Sequence, residues 1–168
     1  MSETWIEQTS AFDRVKSIAL TLSTPRTAAW IAEEAHVSEN TARSHLSRLA
    51  ELGVLATTTT DHGTGYSPDA IYTRSQDIRE LIQAHTEDQL ATQAVELQEE
   101  LALYSTTYDV ESPTALRTSI AATSLSPEKA RERLEAVSDW EYAQYRLSVV
   151  RDALEHYDTY SSSHPASA

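Results

Sequence analysis

The sequence predicts a mainly α-helical chain with one small β-hairpin, and three observations carry that prediction. Apolar residues recur at spacings of three and four through most of the chain. Hydroxyl residues stand just before several of these runs, where a helix needs an N-cap. One stretch departs from helical spacing. Val54-Leu55-Ala56 leads into the β-branched run Thr57 to Thr60, and Asp61-His62-Gly63 then supplies turn residues.

The first helix is expected from about Ser10 to Leu22, with Phe12, Val15, Ile18, Ala19 and Leu22 on one face, and Thr24-Pro25-Arg26 breaks it. A second helix follows from about Thr27 to Ala35, and a third from about Ser38 to Leu52. Gly53 stands where a left-handed helix cap is wanted. The hairpin returns near Gly65 to Ser67 and ends at Pro68.

The remainder reads as helix. One segment covers roughly Asp69 to His85, and the next runs from Thr86 to about Tyr108, with Thr86 and Gln89 as a capping box. Ser112-Pro113 opens a short helix carrying Leu116 and Ile120; Ser126-Pro127 opens the longest, to about Tyr157. The expected organisation is a small compact domain over 1–72, a helical region over 73–160 whose long helices suit dimerisation, and a frayed polar tail over 161–168.

Composition narrows the function classes. Of 168 residues, 40% are hydrophobic, enough for a packed core. No run approaches the ~18 apolar residues of a membrane helix. The start Met1-Ser2-Glu3-Thr4-Trp5 lacks the basic and apolar stretches of a signal peptide, so a cytoplasmic protein without a membrane partner is expected. There is no cysteine, which excludes disulfides, thiolate nucleophiles and cysteine metal sites. The six histidines are scattered, with no two placed three or four apart on a helix, so neither metal nor cofactor is expected. With three glycines and no phosphate loop, GxSxG or HExxH, no enzyme is expected.

Charge is the unusual feature. Asp and Glu number 26 against 13 Lys and Arg, a net charge of -13, and only Lys16 and Lys129 are lysines. The balance looks like adaptation to a very salty cytoplasm, where the Debye length shrinks to ~3 Å at 1 M and close carboxylates are screened. An ordinary acidic protein is the alternative. Through Tyr72 there are five basic and nine acidic residues (net -4), and beyond it eight and seventeen (net -9). Nothing here is basic enough to suggest nucleic acid, so DNA binding has to be argued from motif.

That motif is Thr27 to Leu55, TAAWIAEEAHVSENTARSHLSRLAELGVL. Ile31, Ala32 and Ala35 face inward from one short helix, Val37 plugs the turn, and Ser38 caps the next. Ala42, Leu46 and Leu49 fall on the buried face of that second helix. Opposite them lie Glu39, Asn40, Arg43, Ser44, Ser47 and Arg48, a face stocked with arginines and short hydrogen-bonding residues.

The stretch VSENTARSHLSRLAELGVL resembles the recognition helix of winged helix-turn-helix transcription regulators of the ArsR-like and MarR-like group, through Val37-Ser38, Thr41, Arg43, Leu46, Leu49 and Gly53-Val54-Leu55. The whole chain, including WEYAQYRLSVVRDALEHYD from Trp140 to Asp158, is similar to a winged-helix family of halophilic archaea of largely unassigned function. The resemblance implies a third helix docked in the major groove of double-stranded DNA. It assigns base reading to Asn40, Arg43, Ser44 and Ser47, since Arg suits guanine and Asn suits adenine. Arg26, Thr27, Ser38, Thr41 and Arg48 become phosphate contacts. The wing, Thr57 to Ser67, contains no Lys or Arg and leaves only His62 and Tyr66 as weak contacts. Glu39 and Glu51 would repel phosphate, and a winged-helix protein-interaction module without DNA binding is the alternative reading.

Leu90, Ala94, Leu97, Leu101, Tyr104 and Tyr108 form a seam suited to coiled-coil packing, and the last helix repeats it with Leu134, Val137, Leu147, Val150, Leu154 and Tyr157. Such seams pair within one chain or across a two-fold axis. The expectation is a homodimer with Leu90, Leu97, Leu101, Tyr104, Trp140, Leu147, Val150 and Leu154 at its interface. A small-molecule effector is compatible with the Tyr and Trp cluster but not indicated by it.

Overall fold

The computed structural model describes residues 8–161, so all but the first residue of the expected tail lies outside the described residues. The chain divides into two compact units, one through Gln76 and one from Asp77. The division falls within a helix, past the boundary expected after Tyr72.

The first unit is a winged helix-turn-helix. Its elements are α1 (Ala11–Leu20), β1 (Arg26–Thr27), α2 (Ala28–Glu34), α3 (Glu39–Glu51), β2 (Leu55–Thr60) and β3 (Gly63–Pro68). Local chemistry sets each helix start. Ser10 Oγ accepts from the Asp13 N–H at 3.1 Å and the Asp13 carboxylate accepts from the Ser10 N–H at 3.3 Å, closing a capping box. The Ser10 hydroxyl, donating to Asp13 Oδ2 at 2.6 Å, and then the Ser10 N–H hold the Asp13 carboxyl below its ordinary pKa. Thr27 and Ser38 cap α2 and α3. His36, at φ +51°, makes the sharp turn between them, and Gly53, at φ +72°, ends α3 as expected.

The core gathers Val15 and Ala19 of α1, Ile31 and Ala32 of α2, Ala42, Leu46 and Leu49 of α3, and Leu55 and Tyr66 of the sheet. A charged side chain joins them. Arg14 is only 8% exposed, and its Nε donates to the Ala35 carbonyl at 2.9 Å while Nη1 donates to the Thr9 carbonyl at 2.6 Å. A buried guanidinium is tolerated because its donors are met, and Ala35 is the residue that ends α2. Arg14 therefore ties α1 to the turn from which α3 departs.

Among the described residues the sheet has three strands, in the order β1-β3-β2 and antiparallel throughout. The hairpin pairs Leu55 with Pro68 through Thr60 with Gly63, so β3 begins earlier and includes the proline expected to follow it. The third strand is an addition. Arg26 pairs with Tyr66 and Thr27 with Gly65, placing β3 in the middle. Gly65 is consequently flanked by Thr27 and Thr58, and a Cβ there would lie 2.8 Å from Thr60 Cγ2 and 3.1 Å from Pro25 Cβ. Gly65→Ala should cost about 1–3 kcal/mol through this overpacking. Amide exchange of the β2 and β3 N–H groups should accelerate accordingly, and unchanged protection would show that the wing accommodates the methyl group.

The second unit is helical among the described residues. Helix α4 (Ala70–Ala84) enters it, followed by α5 (Glu87–Tyr108), α6 (Pro113–Ala122), α7 (Pro127–Glu155) and the short α8 (Tyr157–Ser161). Asp69 Oδ1 caps α4, accepting from the N–H groups of Ile71 and Tyr72 at 2.9 Å. Thr86, Ser112 and Ser126 cap the next three, with the Thr86–Gln89 capping box in place. Asp109, at φ +51°, closes α5. Two apolar clusters follow along α7. Leu81, Ile82, Leu90, Ala94, Leu147, Val149, Val150 and Ala153 form one, with Leu97, Leu101 and Leu154 packed against it. Leu116, Ala136, Val137 and Trp140 form the other, under Tyr104, Tyr108 and Ile120.

This packing corrects the placement of the expected dimer interface. Leu90 (0% exposed), Val150 (0%), Trp140 (3%) and Leu147 (6%) are buried within one chain, and Leu97, Leu101, Tyr104 and Leu154 are half-buried against the same clusters. Helices α5 and α7 turn their stripes toward each other because they lie in one unit, and closing that seam locally removes the apolar area at once. Tyr104 stacks on Trp140 with centroids 5.6 Å apart and planes 13° from parallel. Desolvation there, reinforced by the Glu100 charge, raises the Tyr104 pKa.

Candidate nucleic-acid interface

Helix α3 has one face spoken for. Ala42, Leu46 and Leu49 are essentially inaccessible, so the helical period turns Asn40, Arg43, Ser44, Ser47 and Arg48 outward, and all five are exposed. Every base-reading residue expected from the sequence thus lies on a single accessible surface, together with Glu39 and Glu51. The helix carries two arginines and two glutamates and is neutral overall. Arg43 does not point away alone. Its Nη2 donates to Oε1 of Glu39, one turn earlier, with side chains 58% and 49% exposed.

The expected phosphate contacts separate into two kinds. Arg26 and Arg48 are exposed cations, and the Arg26 guanidinium lies 5.0 Å from the ring centroid of Trp30, which props it in place. The three hydroxyls are already engaged. Thr27 Oγ1 accepts from the Trp30 N–H at 3.4 Å. Ser38 Oγ accepts from the Thr41 N–H at 3.2 Å and shares a 2.8 Å hydrogen bond with Thr41 Oγ1. A phosphate contact from any of them would compete with a helix cap.

In the wing, His62 is exposed at the hairpin turn, its N–H donating to Thr60 Oγ1 at 3.3 Å. Tyr66 is a correction. It is 5% exposed and packs in the core, because β3 is the central strand and the period-2 alternation turns this side chain inward. It cannot touch DNA from there.

Two residues that shape this surface were not anticipated. Arg14 anchors the end of α2, and His45, half-buried on α3, meets Phe12 of α1 edge-on at 5.4 Å between ring centroids. Both fix α3 from behind. The only sequence cue was their position beside apolar stripes.

The second unit carries a shallow open groove lined by His85, Asp88, Gln89, Thr92, Gln93 and Glu96. Its lining residues are histidine, carboxylates, amides and a threonine, and the Tyr104–Trp140 pair considered for an effector is packed into a core cluster instead. Among the described residues, no three His, Asp or Glu side chains gather as a metal site, and no helix is long and apolar enough to cross a membrane.

No curated protein and no solved structure matches the chain. A family match spans residues 9–159, reaching across both compact units and the whole of the surface just described. The chain belongs to that family, described as a family of unknown function (DUF7342).

Proposed function

We propose that this protein is a sequence-specific DNA-binding transcription regulator of the ArsR-like and MarR-like kind, acting inside the cell with α3 in the major groove. The observation that carries the reading is the outward face of α3, where Asn40, Arg43, Ser44, Ser47 and Arg48 are all exposed on a helix whose other face is locked into the core. A major groove admits one α-helix, and these residue types pair with guanine, adenine and phosphate edges. Arg26 and Arg48 serve as phosphate contacts, the two exposed cations outside the Glu39 pair among the described residues of the first unit.

Charge sets the character of the binding. A chain of net -13, with a wing lacking Lys and Arg, releases few counterions from DNA, so non-specific affinity is low. Direct base contacts must then supply the affinity, and two copies double them. The proposal therefore includes a homodimer on half-sites about one DNA turn (~34 Å) apart. With Leu90, Trp140, Leu147 and Val150 inside the chain, the large apolar side chains left exposed on α5 and α7 are Val95, Leu103, Leu134, Tyr142 and Tyr145.

A protein-docking module is the second reading, favoured by the uncharged wing strands. Recovery of DNA crosslinked to the tagged protein in its native cell separates the two. Discrete peaks sharing a two-fold symmetric motif are expected. Enrichment no greater than that of an untagged strain would leave protein docking as the role of α3.

A further inference from the structure

The ion pair on the exposed face of α3 is where the surface departs from what DNA binding alone would ask. A glutamate facing phosphates is repelled, yet Glu39 occupies the first position of the helix and engages one of the two arginines on it. An exposed i,i+4 pair stabilises a helix by only about 0.3–0.5 kcal/mol, which is a weak reason to neutralise a reading arginine. Its geometry offers a stronger one. The guanidinium has five N–H donors and gives Nη2 to Glu39 Oε1, leaving other donors for a guanine edge. The carboxylate has a second oxygen, Oε2, and the complementary donors in the major groove are amino groups: cytosine N4, which stands clear of any acceptor of its own base, and adenine N6, which lies beside the N7 acceptor.

We propose that Glu39 and Arg43 act as one reading unit for a step containing a guanine and a cytosine, with Glu39 as a specificity-determining residue. Arg43 donates to guanine O6 and N7, and Glu39, oriented by Arg43, accepts from a cytosine amino group. Because the pair is neutral, it adds discrimination without adding attraction for arbitrary DNA. Thymine in place of that cytosine sets Glu39 against the O4 acceptor and a methyl group, and adenine sets its N7 acceptor beside the N6 amino group, so the charge becomes a penalty for the wrong base. The inference rests on the DNA-binding reading above and deepens it.

The test is selection from a randomised duplex library by the full chain and by Glu39→Gln, with Glu39→Asp as a second variant that keeps the charge and shortens the reach. Both substitutions lie on the exposed helix surface, and circular dichroism establishes that each variant is folded. The wild-type protein is expected to enrich a motif with adjacent guanine and cytosine. Both variants should lose about tenfold or more of the preference for cytosine while retaining the rest of the motif. Glu39→Gln alone should also bind random DNA several-fold more tightly, having lost a repelling charge. A wild-type motif whose cytosine preference is unchanged in both variants overturns the paired reading and leaves DNA binding standing. If the wild-type chain enriches no motif, both readings fail together.

Discussion

Arg43→Ala should lower affinity for the target site by about 5- to 150-fold per half-site, the range a bidentate guanine contact supplies at ~1–3 kcal/mol. In a two-fold dimer the loss is felt at both half-sites, so the free-energy penalty doubles. Stability should barely change. The side chain is 58% exposed and its partner Glu39 is on the same helix surface, so the pair contributes little to the fold. Affinity for scrambled DNA should fall by several-fold only, because losing Arg43 leaves the Glu39 charge uncompensated but removes no base-specific contact there. Fluorescence anisotropy on target and scrambled duplexes, beside a thermal melt, reads all three quantities. An unchanged target affinity would remove Arg43 from the reading surface.

Trp140→Ala should destabilise the second unit by about 3–5 kcal/mol, and Leu90→Ala by about 2–5 kcal/mol. Both side chains are inside the chain, at 3% and 0% exposure, and Trp140 also carries the Tyr104 stack. Losses of that size are a large share of the ~5–15 kcal/mol that holds a domain together. The diagnostic contrast is with an interface residue. Truncating one of those gives a folded monomer whose assembly needs more protein. Here the helices themselves should melt earlier at every protein concentration. Circular dichroism and sedimentation together decide between the two, and a well-folded Trp140→Ala protein with weakened assembly would return Trp140 to an interface.

Much of the first unit was legible because its determinants are local. Ser10, Thr27 and Ser38 mark helix starts by their own hydrogen bonds, and Gly53 marks an end by its backbone conformation. The exposed face of α3 follows from the same 3.6-residue period that buries Ala42, Leu46 and Leu49. What escaped depends on distant partners. Strand β1 is two residues long, too short to show alternation, and exists because Arg26 and Thr27 meet Tyr66 and Gly65 some forty residues later. Nothing in the sequence marks Arg14 as buried, because its acceptor, the Ala35 carbonyl, lies 21 residues away. The stripes on α5 and α7 announced that they would be covered, but periodicity carries no information about which surface covers them. The burial of Tyr66 is hidden for a related reason: the local sequence shows a two-stranded hairpin, and only β1, about forty residues earlier, makes its strand the middle of a sheet.

The hydroxyl caps also bear on how the chain responds to its medium. Ser10, Thr27, Ser38, Thr86, Ser112 and Ser126 begin six helices with uncharged side chains. Their bonds to backbone N–H groups are indifferent to ionic strength, whereas mutual repulsion among 26 carboxylates is not. Dilution therefore strains the association of helices with one another while leaving intact the instructions for where each one begins. If low salt loosens the chain, the helix starts stay marked, and refolding on return of salt should need only the reassociation of those segments.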